Sequence, residues 1–239
     1  MNSLNLTTLF NVKAKVVIVT GGGRGIGKMI ADGFVQNGAK VYIVSRSFDA
    51  CQATADELNA NGPGHCIPLQ ADLSGESVCQ AFADEISNRE SRVDVLVNNS
   101  AIGLETHVET TPANVWDETL SLNVTSTYLL TRFLLPLLDA AATSTDGARV
   151  INIGSIAGFM PQKVNTIVYD TSKAAGLPYV TGKSFEQIKQ EVPTERMGED
   201  SDMAGLAIFL ASKASGWISG QVITCDGGMV GAAETAVGP

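Results

Sequence analysis

A phenol and an ammonium lie four residues apart in Tyr169-Asp170-Thr171-Ser172-Lys173, which puts both on one face of a helix. A tyrosine with a reference pKa near ~10 shuttles protons poorly at neutral pH unless a nearby cation favours its phenolate. Lowering that pKa by ~3 units needs about 4 kcal/mol of differential stabilisation, which close positive charge supplies and a distant surface lysine does not. Tyr169 is therefore the candidate acid/base and Lys173 the cation that tunes it. The same spacing arises by chance in many helices, so the pair alone also fits a structural role. Ser155 follows the apolar run Arg149–Gly154, where its hydroxyl could hold a substrate carbonyl at a strand's carboxyl end or merely cap a turn. Asn123 falls in a helix-compatible stretch; its amide could bind a relay water or satisfy a buried backbone group.

These groups need elements to position them, and the clearest begins near the N-terminus. Thr20-Gly21-Gly22-Gly23-Arg24-Gly25-Ile26-Gly27 follows the apolar run Val16–Val19 and precedes a helix-like stretch from Ile26 to Gln36. Strand, glycine turn and helix N-terminus in that order suit the pyrophosphate of a nicotinamide dinucleotide. Gly21, Gly25 and Gly27 would allow the tight turn, the close approach to phosphate and the helix packing, with Arg24 and Ile26 between them. An ordinary glycine turn is the competing reading. An NAD site usually places an acid ~20 positions further on, to bond the ribose 2′-hydroxyl. This chain instead reads Ser45-Arg46-Ser47, with no acid before Asp49. Arg46 and Arg24 could pair with a 2′-phosphate through forked, charge-assisted hydrogen bonds, so NADP is the expected cofactor, although solvated surface arginines would look the same. Asp72, followed by Leu73, sits beyond the third apolar run as an acceptor for the adenine amino group or as a cap before a helix over Ser74–Arg89. Asn98-Asn99-Ser100-Ala101 ends the fourth run, which places Asn99, Ser100 and Ala101 at the carboxyl edge where ligands of open α/β sheets bind. The asparagines could also serve only turn backbone groups.

Apolar runs recur at Lys15–Thr20, Lys40–Ser45, Cys66–Gln70, Val93–Asn98, Arg149–Gly154 and Gln221–Cys225, with helix-compatible segments between most of them. The alternation predicts an α/β protein with a parallel sheet and crossover helices. Asn61-Gly62-Pro63-Gly64 and Asp146-Gly147 read as turns, and Pro136 should kink or end a helix over Ser121–Ala142. With 239 residues, no internal repeat and no low-complexity linker, one dinucleotide-binding and catalytic domain over 1–239 is expected. A net charge of -9 disfavours a broad nucleic-acid surface. Four scattered cysteines and two histidines give no zinc ligand set, so no metal is expected. No run approaches the ~20 apolar residues of a membrane span, and a reducing, cytoplasmic setting fits the thiols best.

Together, Thr20-Gly21-x-x-x-Gly25-x-Gly27, Asp72, Asn98-Asn99-Ser100-Ala101, Asn123, Ser155, Tyr169-x-x-x-Lys173 and the closing Asp226-Gly227-Gly228 resemble the short-chain dehydrogenase/reductase family from Val12 to Gly228. The resemblance implies a doubly wound Rossmann fold with Tyr169 as proton donor. It also implies Lys173 lowering the phenol pKa and holding the nicotinamide ribose, Ser155 orienting the carbonyl, and Asn123 supporting a proton relay. Hydride transfer belongs to the cofactor. The opening Leu4–Gly27 and Ser155-Ile156-Ala157-Gly158 look most like 3-oxoacyl-thioester reductases of the rhamnolipid type. The expected activity is NADPH-dependent reduction of a small-molecule ketone in a homodimer or homotetramer, with an impaired NADP-binding or assembly protein as the alternative. A serine hydrolase is disfavoured, because Gly154-Ser155-Ile156-Ala157-Gly158 is not a Gly-x-Ser-x-Gly elbow.

One stretch departs from the family. Ala174-Ala175-Gly176-Leu177-Pro178 should stop the catalytic helix early, because proline lacks the donor and disfavours helical geometry before it. No strand pattern follows before a helix-like Ser184–Glu191. The missing half-helix, strand and loops amount to an apparent deletion of roughly 25 residues. A truly shortened molecule should lack a strand between Arg149–Gly154 and Gln221–Cys225; a stretch missing only from the written sequence would leave the sheet whole.

Overall fold

The computed structural model describes residues 4–105, 107–158, 165–176 and 192–230. Five parallel strands form its sheet: β1 (Val16–Thr20), β2 (Lys40–Ser45), β3 (His65–Gln70), β4 (Val95–Asn98) and β5 (Arg149–Asn152), in the order β3-β2-β1-β4-β5. The helices in chain order are α1 (Leu6–Leu9), α2 (Gly25–Gln36), α3 (Phe48–Asn61), α4 (Glu76–Arg89), α5 (Ala113–Leu120), α6 (Ser126–Ala141), α7 (Ile167–Gly176) and α8 (Asp200–Ala211). β1 is buried along its whole length, as a strand covered on both faces must be, so its sequence is a continuous apolar run rather than an alternation. Val17 and Val19 face a core with Ile30, Phe34, Leu58 and Ala207 from α2, α3 and α8. Val16 and Ile18 face the other, with Phe82, Ile86, Leu130 and Leu134 from α4 and α6. The sheet is thus doubly wound, and its order reverses between β1 and β4, the place where such sheets bind ligands.

Three expectations need correction. Helix α4 begins at Glu76 with Gly75 at its N-cap, so Asp72 is not the cap; its carboxylate accepts from the Ser74 amide at 3.3 Å and shapes the turn instead. Pro136 does not end its helix, since α6 runs through it to Ala141. Four leucines of α6 bury against the sheet, and that burial outweighs one lost backbone bond. Gln221–Cys225 does not form a strand, and Val222 and Ile223 are 58% and 40% exposed. Among the described residues no strand lies outside β5, so this apolar segment has no ladder to join. β5 itself alternates between half-buried and exposed residues, as suits its place at the edge of the described sheet opposite β3. The expected helix over Ser184–Glu191 and the break at Leu177–Pro178 lie outside the described residues.

Candidate active site

The turn after β1 has the shape that a phosphate requires. Gly21 and Gly25 hold φ values of 67° and 54°, in the left-handed region that side chains avoid. Gly27 is set by contact: a Cβ there would lie 2.4 Å from the Gly21 carbonyl oxygen and 2.6 Å from Asn99 Nδ2. Open space surrounds the equivalent point on Gly25, leaving room for a ligand over the turn. Helix α2 starts there with neither a side-chain cap on Arg24 nor an acid in its first turn. Its N-terminal amides and dipole are accordingly free to meet an anion.

The end of β4 braces this turn. Thr20 Oγ1 accepts from the amides of Asn99 and Ser100, each at 2.9 Å. Asn99 Nδ2 donates back to the carbonyls of Thr20 at 2.9 Å and Gly21 at 3.3 Å. The Asn99 amide is thereby committed to shaping the cradle, and Ser100 and Ala101 emerge beside it. Arg24 and Arg46 are exposed, and neither enters an ion pair among the described residues. The Arg46 backbone is nevertheless pinned, its carbonyl accepting from Gln70 Nε2 at 2.9 Å. Ser45 Oγ donates to the Ser47 carbonyl at 3.0 Å. Asp72 is exposed and Leu73 buried at the neighbouring strand end.

The four expected catalytic side chains gather beyond the ends of β4 and β5. Tyr169 and Lys173 share the buried face of α7, each 7% exposed, and the ammonium lies 5.8 Å from the ring centroid. Lys173 Nζ donates to the Ile153 carbonyl at 3.0 Å, two residues before Ser155. Ser155 Oγ is buried and makes no ordinary hydrogen bond among the described residues. It still lies near enough to the phenol to lower its pKa. Asn123 sits in a π-helical turn, Ser121–Thr125, between α5 and α6. Its Oδ1 accepts from the Ile102 amide at 2.8 Å, while Nδ2 donates to the Ile102 carbonyl and to Ser172 Oγ, both at 2.9 Å. A cleft of about 330 Å³ connects Ser100, Asn123 and Lys173 with Asn98 and Asn152.

Electrostatics run partly against expectation. The Tyr169 pKa is raised, not lowered: burial dominates, Ser155 opposes it, and the Asp170 carboxylate adds to it. Lys173 cannot reverse this because its ammonium points to the Ile153 carbonyl rather than to the phenol oxygen. Burial also pulls Lys173 down to about 8. The protein alone therefore holds a protonated phenol at neutral pH beside a lysine that titrates close to it. Among the described residues no cluster of His, Cys, Asp and Glu could hold a metal ion.

Two contributors were missed in the sequence. Thr20 opens the glycine motif but was given no role of its own, although a hydroxyl directly before the turn was available to read as a brace. Ser172 gave no signal, because its partner Asn123 is 49 positions away.

A phosphate-shaped turn at the switch point of a doubly wound sheet, facing a Tyr-Lys helix and a serine, defines a dinucleotide-dependent oxidoreductase. The chain belongs to the short chain dehydrogenase family, which it matches over residues 15–194; residues 178–230 match the enoyl-(acyl carrier protein) reductase model. It is 35% identical to the rhamnolipids biosynthesis 3-oxoacyl-[acyl-carrier-protein] reductase of Pseudomonas aeruginosa, over 92% of this chain and 97% of the relative. The Pseudomonas aeruginosa RhlG/NADP active-site complex superposes with a TM-score of 0.85 at 34% identity, covering 93% of this chain and 98% of that one. The 7alpha-hydroxysteroid dehydrogenase of Escherichia coli is 29% identical over 96% of this chain and 98% of the relative. The first of these alignments spans 251 positions, whereas 92% of 239 residues is about 220, so roughly 30 positions of the relative face gaps here. That shortfall matches in size the deletion expected from the interrupted pattern after Lys173.

Proposed function

We propose that the protein reduces a ketone by hydride transfer from NADPH, with 3-oxoacyl thioesters as the substrate class. The observation that carries this reading is the buried Ser155 hydroxyl, which makes no ordinary hydrogen bond among the described residues and lies beside a phenol whose raised pKa keeps its proton at neutral pH. A ketone oxygen seated between them accepts from Ser155 and takes the proton of Tyr169 as negative charge develops on it. Tyr169 is the acid, Lys173 the neighbouring cation and ribose contact, and Asn123 holds the turn behind them. Gly21, Arg24, Gly25, Ile26 and Gly27 hold the pyrophosphate, and Ser45, Arg46 and Arg24 hold the 2′-phosphate. Asp72 and Leu73 take the adenine, and Asn99, Ser100 and Ala101 line the nicotinamide side. NADPH bound in this way supplies the hydride.

The substrate class follows the Pseudomonas relative, whose name specifies a 3-oxoacyl substrate. The chain acts as one domain over 1–239, in the cytoplasm, as a homodimer or homotetramer. The test is loss of NADPH absorbance with acetoacetyl thioester and with a panel of simple ketones. Turnover is expected with NADPH and is at least tenfold weaker with NADH at equal concentration. NADPH binding without oxidation by any ketone would replace this reading with that of an impaired binding protein.

A further inference from the structure

Helix α7 carries both Tyr169 and Lys173, yet it buries little hydrocarbon. Among the residues whose burial is described, those buried are Val168, Tyr169, Ser172 and Lys173; Val168 is the one aliphatic among them, so polar bonds join the Tyr169 ring in fixing the helix's rotation. Ser172 is fully buried. Its Oγ donates to the Tyr169 carbonyl at 2.7 Å and accepts from Asn123 Nδ2 at 2.9 Å. The direction of both bonds is forced, because the asparagine amide nitrogen has only protons to offer and the carbonyl only lone pairs. Asn123 is itself tied twice to the Ile102 backbone.

We propose that Ser172 is a positioning residue which locks the rotational register of the catalytic helix against the Asn123 turn. The inference rests on the functional reading above. Side-chain ends lie about 5–6 Å from a helix axis, so a 10° rotation of α7 displaces them by about 1 Å. Displacement by ~1 Å of a reacting group costs roughly 100-fold in rate. Removal of the hydroxyl leaves one Nδ2–H of Asn123 without its partner, while the other keeps the Ile102 carbonyl and Oδ1 keeps the Ile102 amide. The helix then stays folded but loses its register.

The experiment compares unaltered protein with Ser172→Ala and Ser172→Thr, each normalised to the concentration of NADPH-binding sites. Ser172→Ala should lower kcat 10- to 100-fold, leave the NADPH Kd and ketone KM within about threefold, and shift the basic limb of the pH–kcat profile. Ser172→Thr retains the hydroxyl and should recover at least half of the lost rate. Hydrogen exchange over Tyr169–Lys173 reads the same lock without turnover and should quicken about tenfold in Ser172→Ala. Unchanged kcat per site and unchanged exchange in Ser172→Ala would overturn the proposal. So would a rate loss that merely tracks the lost fraction of folded protein, with the pH profile unmoved. A failure of the functional reading is distinct, because it appears as absent turnover in the unaltered protein.

Discussion

Replacement of Arg46 tests the charge proposed to select the cofactor. Its backbone is held by the 2.9 Å bond from Gln70 Nε2, and the next residue, Ser47, caps α3 by accepting from the Ala50 amide. Substitution at 46 therefore changes the charge at the loop without releasing the loop. The guanidinium is exposed and has no carboxylate partner to lose among the described residues. An exposed pair contributes about 0.2–1 kcal/mol, whereas forked, charge-assisted bonds to a phosphate contribute about 1.5–3 kcal/mol. The site lies between these limits, so Arg46→Ala should weaken NADPH by about 1–2 kcal/mol, or roughly five- to thirtyfold. Arg46→Asp adds repulsion of the 2′-phosphate and should cost roughly a further tenfold. NADH has no phosphate there, and its Kd should stay within about threefold in both variants. Titration of each cofactor by fluorescence or calorimetry at two salt concentrations provides the assay, with the difference shrinking at high salt. A parallel loss for NADH would mean that the loop had moved, and an unchanged NADPH affinity would mean that Arg46 is only a solvated surface charge.

Tyr169→Phe should abolish ketone reduction and leave the NADPH Kd within a few-fold, checked by single-turnover absorbance, because the proton donor goes and the phosphate cradle stays. The Asp170 carboxylate helps to raise the Tyr169 pKa, so Asp170→Asn should lower it, and the onset of alcohol oxidation, which needs the phenolate, should move to lower pH in rate–pH profiles. Lys173 titrates in the folded protein at about 8 against an ordinary 10.5; at pH 7 both folded and unfolded chains hold the proton, and burial of that charge costs roughly 3 kcal/mol. Lys173→Met, after about 1 kcal/mol for the lost bond to Ile153, should be inactive but more stable by roughly 2 kcal/mol at pH 7, the advantage fading as pH rises from 8 to 10.5 in denaturant titrations.

The parts legible in the sequence were those fixed by local physics. A strand covered on both faces must be apolar throughout, so β1, β2 and β4 stood out as runs. A tight turn needs glycine at left-handed φ, so the phosphate cradle declared itself by spacing. Pro136 does not end α6 because burial of the α6 leucines, a tertiary quantity, decides whether a helix continues past proline. Gln221–Cys225 has strand composition, but a strand exists only where a neighbour offers its backbone, and that neighbour is what the chain lacks among its described residues. Ser172 could not be read because a polar link over 49 positions leaves no periodicity behind it.

Burial acts on Tyr169 and Lys173 in opposite directions, and that opposition suits the proposed reduction. It disfavours charge on either side chain, so Tyr169 keeps its proton to higher pH while Lys173 gives its own up more readily. A phenol that stays protonated is ready to donate when hydride reaches the carbonyl carbon. A lysine near 8 exchanges protons with water under ordinary conditions and can restore what the phenol gives away. Without cofactor, the same burial disfavours the phenolate that oxidation of an alcohol would require. The bias does not come from the Tyr-Lys spacing alone. It arises because α7 is turned inward, with Lys173 on the Ile153 carbonyl and Ser172 on Asn123, so the polar bonds that hold this helix also keep both groups out of water.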